Sequence, residues 1–222
     1  MNGVILLISS NRQMAVPTAT CVNEMRRAGA QLILEMGSSD VSQARNSALN
    51  AACKALHERP ELDCVLMLDD DIICPLGVAR ELVGEARSSG VACSAAYATG
   101  DARLAGSRWF QDGKPWADGR VRWQVGLGCL AIPRALLLEL EQKSESYEVR
   151  GRVLTMFTWS KAENGEWVAE DYRLSRQLGG VNLMPLGVGH WKHGEYFPDD
   201  ETLAAIRENR MVQQLPDGRV QA

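Results

Sequence analysis

Three consecutive aspartates, Asp69-Asp70-Asp71, follow the apolar run Val65-Leu66-Met67-Leu68. Like charges this close raise one another's pKa or recruit a cation. Along a strand, residues i and i+2 face the same side, so Asp69 and Asp71 are expected to converge on one ion while Asp70 points elsewhere. Oxygen ligands of this kind suit Mg²⁺ or Mn²⁺. The same acids would also serve as a solvated turn ahead of a helix opened by Pro75. A second acid pair, Glu170-Asp171, sits where a helix is expected to begin. Acids there are favoured by the helix dipole by about 0.3–1 kcal/mol. If the fold aims one of them into a cleft with the first acids, it becomes a candidate general base. The third cluster, Gly189-His190-Trp191-Lys192-His193-Gly194, holds two of the three histidines. An imidazole nitrogen added to the carboxylates tilts the preference towards Mn²⁺, and Lys192 would offset phosphate charge. A surface loop with satisfied histidines is the plainer alternative.

The elements that must position these groups alternate in period. Val4 to Ile8 is a short apolar run suited to a strand buried on both faces. Ser9-Ser10-Asn11 reads as a turn and helix cap, Gln13 to Ala28 as a helix with Pro17 in its first turns, and Gln31 to Met36 as a second strand. Asp40 or Ser42 caps a helix from Gln43 to His57, and His57 at its end reads as structural. Cys64 to Leu68 is the third strand, Pro75 to Arg87 a helix, and Val91 to Tyr97 the fourth strand. This order implies a largely parallel sheet with right-handed crossovers, whose ligands bind beyond the carboxyl ends of the strands. Further on, Val125 to Ile132 reads as a Gly-broken strand and Pro133 to Gln142 as a helix. Val153 to Trp159 reads as a strand or extended segment, Glu170 to Leu178 as a helix, Val181 to Leu186 as a last strand, and Asp199 to Arg210 as a surface helix. Residues 99–123 are weakly periodic, an acceptor loop or a small β-excursion.

The chain has 222 residues, 45% hydrophobic and 23% charged, with a net charge of −4. That suffices for one α/β domain, and no linker divides it. No Lys/Arg block marks a nucleic-acid stripe. None of the six cysteines forms a CxxC pair, so a zinc module is not expected. Cys64, Cys93 and Cys129 lie in apolar runs and read as buried free thiols, which fits a reducing cytoplasm. No run approaches the roughly 20 apolar residues of a membrane span.

Taken in order, these segments resemble a glycosyltransferase of the GT-A fold, near family 2. Ser42-Gln43-Ala44-Arg45-Asn46 resembles the S-x-A-R-N segment after the second strand, and Val65 to Pro75 resembles the strand and metal motif. Gly126 to Arg134 resembles the acceptor-side glycine segment, Ala169-Glu170-Asp171-Tyr172 with Gly179-Gly180 the acid-pair helix, and His190 the late histidine. The resemblance spans residues 3 to about 197. It implies an α/β GT-A (Rossmann-like) mostly parallel central sheet flanked by helices, in one domain at 1–215. Residues 1–97 would form the nucleotide-sugar half and 98–197 the acceptor half. Apart from the resemblance, residues 216–222, from Pro216 on, read as a flexible tail, as chain ends commonly are.

By the same resemblance the donor is a nucleotide-diphosphate sugar, with UDP as the expected carrier. Asp69, Asp71 and His190 would hold Mn²⁺ or Mg²⁺, with His193 the alternative to His190. Ser9, Arg12, Arg45, Asn46, Asp69, Asp70, Lys192 and His193 would lie on the nucleotide, Asp171 would be the catalytic base of an inverting transfer, and Glu170 would orient acceptor or base. The acceptor is not readable. It could be a glycan, a small molecule, a protein or a hydroxymethylated DNA base, the last suggested by Arg103, Arg108, Lys114, Arg120 and Arg122. Trp109, Trp116, Trp123, Trp159 and Trp191 would stack on a sugar or base, or belong to the core. A nucleotidyltransferase would want a glycine-rich loop where Ser9-Ser10-Asn11-Arg12 stands. A haloacid-dehalogenase-type phosphatase would want a hydroxyl residue after Asp71, where Ile72 and Ile73 follow. A non-catalytic nucleotide-sugar-binding module is the alternative outside enzymes.

Overall fold

The computed structural model describes residues 1–10, 13–36, 40–97, 108–109, 119, 121–163, 166–191, 195–208, 213–214 and 220–221. The first half runs β1 (Val4–Ser10), α1 (Val16–Arg27), β2 (Gln31–Met36), α2 (Val41–Glu58), β3 (Cys64–Asp69), β4 (Ile72–Ile73), α3 (Leu76–Ser89) and β5 (Cys93–Ala96). Next come β6 (Arg108–Trp109), β7 (Trp123–Gln124), β8 (Cys129–Pro133), α4 (Arg134–Lys143), β9 (Ser146–Val149) and β10 (Arg152–Thr155). The last part holds β11 (Lys161–Glu163), β12 (Glu166–Val168), α5 (Glu170–Gln177), β13 (Asn182–Gly187), β14 (Gly189–Trp191), β15 (Glu195–Tyr196), α6 (Asp200–Arg207), β16 (Gln213–Gln214) and β17 (Val220–Gln221).

Six strands form the central sheet in the order β13-β5-β8-β3-β1-β2. β1 pairs parallel with β2 and β3, and β13 pairs parallel with β5. β8 lies between β3 and β5 and is antiparallel to both, so the other five share one direction. The expected α/β, mostly parallel sheet in one domain is therefore what the chain builds, with one reversed strand that alternation of strands and helices does not reveal.

Side-chain alternation sorts the core into two layers. Ile5, Leu7, Val65, Met67, Leu130 and Ile132 pack with Ala48, Leu49, Ala52 and Leu56 of α2 and Leu137 of α4. Their neighbours Val4, Leu6, Ile8, Cys64, Leu66 and Leu68 pack on the opposite face with Val22 and Met25 of α1 and Leu82, Val83 and Ala86 of α3. Each fully buried Leu, Ile or Val contributes about 1.5–3 kcal/mol, so both layers are needed to hold the rim where the acids lie.

Local signals set the element ends. The Asp40 carboxylate caps α2 by accepting from the Gln43 N–H at 2.8 Å, and Gly90 closes α3 at φ 70°. Pro17 places the start of α1 at Val16 rather than Gln13, since a ring without an N–H fits the first turn. Ser9 and Ser10 belong to β1 and do not form the expected turn; parallel pairing with Glu35 and Met36 keeps them extended. The strand expected from Val153 is β10, joined to β9 by Arg150 and Gly151 at φ 50° and 73°. β6 pairs antiparallel with β7, so the described part of the 99–124 stretch is the β-excursion. Val220–Gln221 pairs antiparallel with Gln213–Gln214.

All six cysteines are buried and free, and burial pushes the Cys64 thiol up to about 12. Among the described residues no helix is long and apolar enough to cross a membrane.

Candidate active site

The carboxyl rim of the sheet receives the acids, and strand parity decides which neighbour each one meets. Asp69 is the last residue of β3, in register with Ser9 of β1, which in turn pairs with Glu35 of β2. Asp69 thus continues the Val65–Met67 row, on the face that α2 covers. There Arg45 meets it: Nη2 donates to both carboxylate oxygens at 3.1 and 3.0 Å. Nη1 of the same guanidinium donates to Glu170 Oε1 at 2.7 Å. The Arg45 side chain is only 8% exposed. Burial works against its charge, but Asp69 and Glu170 outweigh that and hold the guanidinium protonated above its ordinary range. Asp70 turns to the opposite face, where Ser10 Oγ donates to its Oδ2 at 2.5 Å. Burial raises the Asp70 carboxyl, the Ser10 bond opposes that, and the neighbouring Asp71 and Asp69 charges add to the rise.

Backbone bonds pin the acidic segment. The Asp69 N–H donates to the Gly128 carbonyl at 3.0 Å, the Asp70 carbonyl accepts from Ala15 at 2.8 Å, and the Asp71 carbonyl accepts from Trp191 at 2.7 Å. β4 follows and pairs antiparallel with β14, in the register His190 opposite Ile72. That register brings His190 Nε2 to 3.1 Å from Asp71 Oδ2. The imidazole lies edge-on to the Tyr97 ring, with centroids 5.7 Å apart at 81°. The buried Tyr97 hydroxyl accepts from the Gly128 N–H at 3.2 Å, and burial raises the phenol well above its usual range.

The second acid pair arrives on α5, with Glu170 and Asp171 in its first turn as expected. Ser160 Oγ donates to Glu170 Oε2 at 3.2 Å, and the Thr158 hydroxyl donates to the Glu170 carbonyl. Asp171 accepts from the Tyr172 N–H at 2.8 Å. Burial raises the Asp171 carboxyl, and the Glu170 charge raises it further. One turn along α5, the Arg173 guanidinium lies 3.9 Å over the Trp159 ring.

Several expected roles shift on this geometry. Asp69 and Asp71 do not share one partner: β3 ends at Asp69, the chain turns, and the two-residue periodicity lapses there. Asp69 is engaged by Arg45, and Asp71 by His190. Arg45 faces acids rather than a free anion-binding surface. Asn46, expected on the nucleotide, is 3% exposed and spent on Thr158, donating to its carbonyl at 2.8 Å and accepting from its N–H at 2.9 Å. Trp123, 2% exposed, is core, and Trp191 is 41% exposed at the rim. His57 is structural, 2.8 Å from Glu141. Arg12, Lys192 and His193 lie outside the described residues, as do the side chains of Arg103, Arg108, Trp109, Lys114, Trp116 and Arg120. Tyr97, Thr158 and Ser160 were not anticipated. Tyr97 had a usable signal, because it stands at the end of an expected strand, where the rule that singled out Asp69 applies equally.

Among the described residues no three His, Cys, Asp or Glu side chains group tightly enough to enclose an ion. The donor set fits an open site. Asp71 supplies one carboxylate with the His190 imidazole beside it, and Mg²⁺-like ions are commonly held by one or two carboxylates with phosphates and water completing the shell. A depression of about 510 Å³ lined by Asn23, Arg26, Arg27, Ala30, Gln31 and Leu32 lies at the amino end of β2, away from the acids.

The fold and rim define an α/β protein with a mixed six-stranded sheet and an acid-rich site at its carboxyl edge. No protein-family model matches the chain, and no curated protein matches it. Among solved structures, A197 from STIV superposes with a TM-score of 0.58 at 15% identity, over 89% of this chain and 94% of that one. That likeness shows the fold alone. The nucleoside-diphosphate-sugar pyrophosphorylase from Vibrio cholerae RC9 gives a TM-score of 0.34 at 14% identity, over 92% of this chain and 80% of that one, too loose a superposition to bear on activity.

Proposed function

We propose that the protein is a metal-dependent glycosyltransferase that moves a sugar from a nucleotide-diphosphate sugar, UDP-linked by expectation, to an acceptor hydroxyl. The supporting observation is that two acid motifs remote in sequence meet at one guanidinium on the carboxyl rim, Asp69 on one side and Glu170 on the other. Asp71 and His190 would hold Mn²⁺ or Mg²⁺, which when bound supplies Lewis-acid stabilisation of the leaving diphosphate. Asp171 takes the proton of the acceptor hydroxyl as its oxygen attacks the anomeric carbon. Burial and the Glu170 charge make it more basic than an ordinary aspartate, which suits that role. Bond formation opposite the departing diphosphate inverts the anomeric configuration. Glu170, held by Arg45 and Ser160, fixes the first turn of α5 and so the direction of Asp171.

The test is turnover of a panel of nucleotide sugars with Mn²⁺, read as released nucleoside diphosphate. The expected outcome is release that EDTA abolishes and that Asp71→Ala abolishes without lowering the melting temperature by more than a few degrees. No release and no thermal shift with any nucleotide sugar in the presence of Mn²⁺ would end the reading.

A further inference from the structure

Arg45 is engaged by two of the protein's own acids. Its side chain is 8% exposed, and its three hydrogen bonds go to two carboxylates, at 3.0 and 3.1 Å to Asp69 and 2.7 Å to Glu170. One acid ends a strand of the expected donor half, and the other opens the helix that carries Asp171. The following residue on α2, Asn46, clamps the Thr158 backbone, and the Thr158 hydroxyl bonds the Glu170 carbonyl. One turn lower, Asn50 clamps Thr155 in the same manner, donating to its carbonyl at 2.9 Å and accepting from its N–H at 2.9 Å. A single face of α2 therefore holds the side chain and the backbone of Glu170 together with the extended segment that leads to it. The planar fork serves the two acids from two separate nitrogens, Nη1 for Glu170 and Nη2 for both oxygens of Asp69, whereas an ammonium would have to serve both from a single nitrogen.

We propose that Arg45 is a positioning residue that yokes Asp69 to Glu170, so that the donor-side and acceptor-side acids hold one shared geometry. This rests on the glycosyl-transfer reading for its catalytic consequence. Arg45 touches neither substrate. It acts through the two carboxylates, and through Glu170 it sets where Asp171 points.

The experiment uses the full chain. Turnover and KM for the best nucleotide sugar are measured alongside the dissociation constant of UDP with Mn²⁺ by calorimetry. Arg45→Lys keeps the charge and loses the fork. It is expected to lower kcat by about 100-fold, the scale of a misplaced catalytic group, while the UDP dissociation constant moves less than about threefold. In a second arm, Asp69→Asn and Glu170→Gln are combined. If Arg45 couples them, the double variant loses less than the product of the single losses, by about fivefold or more, and this non-additivity vanishes in the Arg45→Lys background. Two results overturn the proposal: UDP binding weakened tenfold with kcat unchanged, which makes Arg45 a nucleotide ligand, or strictly multiplicative losses from Asp69→Asn and Glu170→Gln. Should Arg45→Lys fail to fold, the Asp69/Glu170 cycle with native Arg45 decides alone. Should the wild type transfer no sugar, the functional reading fails separately, and the same cycle read on urea denaturation still decides whether Arg45 couples the two acids.

Discussion

Replacing Gly128 by alanine tests the packing that holds the acidic rim. A Cβ at Gly128 would stand 2.8 Å from Tyr97 Cζ, 2.9 Å from its hydroxyl oxygen and 3.2 Å from Ile72 Cδ1. Ordinary carbon contacts begin near about 3.5 Å, so the phenol ring must retreat by roughly 0.7 Å. The ring is buried, and its edge abuts His190. Retreat breaks the bond from the Gly128 N–H to the Tyr97 hydroxyl and disturbs the imidazole paired with Asp71. Overpacking of this kind costs about 1–3 kcal/mol, and the lost hydrogen bond adds about 1. Gly128 has no positive φ, so the whole loss comes from contact and none from backbone strain. Urea denaturation is expected to show Gly128→Ala destabilised by about 2–4 kcal/mol on those figures. In a Tyr97→Ala background most of that cost should disappear, because the obstructing ring is gone. A Gly128→Ala protein within about 0.5 kcal/mol of wild type, or an equal loss in both backgrounds, refutes the reasoning.

Two further substitutions have expected outcomes. Asp171→Asn should lower kcat by about 10²–10⁴, the usual contribution of a general base, with nucleotide binding intact. Because burial and Glu170 raise the Asp171 carboxyl, the wild-type rate should fall as pH drops through that raised pKa, and the variant should lose this limb. The same shift has a stability consequence of fixed sign. The folded pKa lies above the unfolded one, so the ionised carboxylate is penalised at neutral pH, and the penalty fades as pH falls through the folded value. Asp171→Asn should therefore melt no lower than wild type at pH 7; a full rate, or a lower melting temperature there, would contradict the assignment. Asn46→Ala leaves the Thr158 N–H and carbonyl, in a buried residue, without their partner. Its expected cost is about 2–4 kcal/mol by chemical denaturation, and a loss under about 0.5 kcal/mol would show that the clamp carries no weight.

The sheet was legible because its strands are nearly uniform apolar runs bounded by turn and cap residues. Asp40 and Gly90 do at the helix ends what their residue types favour. β8 was legible as a strand but not in its direction, since an antiparallel strand inside a parallel sheet carries no compositional mark when both its faces are buried. The β9–β10 hairpin was missed on one side because its turn is Arg150-Gly151, with Arg150 at φ 50°, where Asn or Asp would have been the usual signal.

At the rim, residue types were legible and pairings were not. Two-residue alternation separates Asp69 from Asp70, as the opposite directions of their bonds to Arg45 and Ser10 agree. The rule holds only while the backbone stays extended, and β3 stops at Asp69; that is why Asp71 turns to β14 and meets His190 instead of joining Asp69. Which helix covers which face of an all-apolar strand is also invisible locally: Val65 and Leu66 look alike in sequence yet pack against α2 and α3 respectively. Once α2 is known to cover the Val65–Met67–Asp69 row, Arg45 is placed to meet Asp69, and an arginine so deeply buried needs such a countercharge. A motif names the residue types that gather at a site. Their partners follow from strand parity and helix placement, and parity here gives the arginine to the protein's own acids.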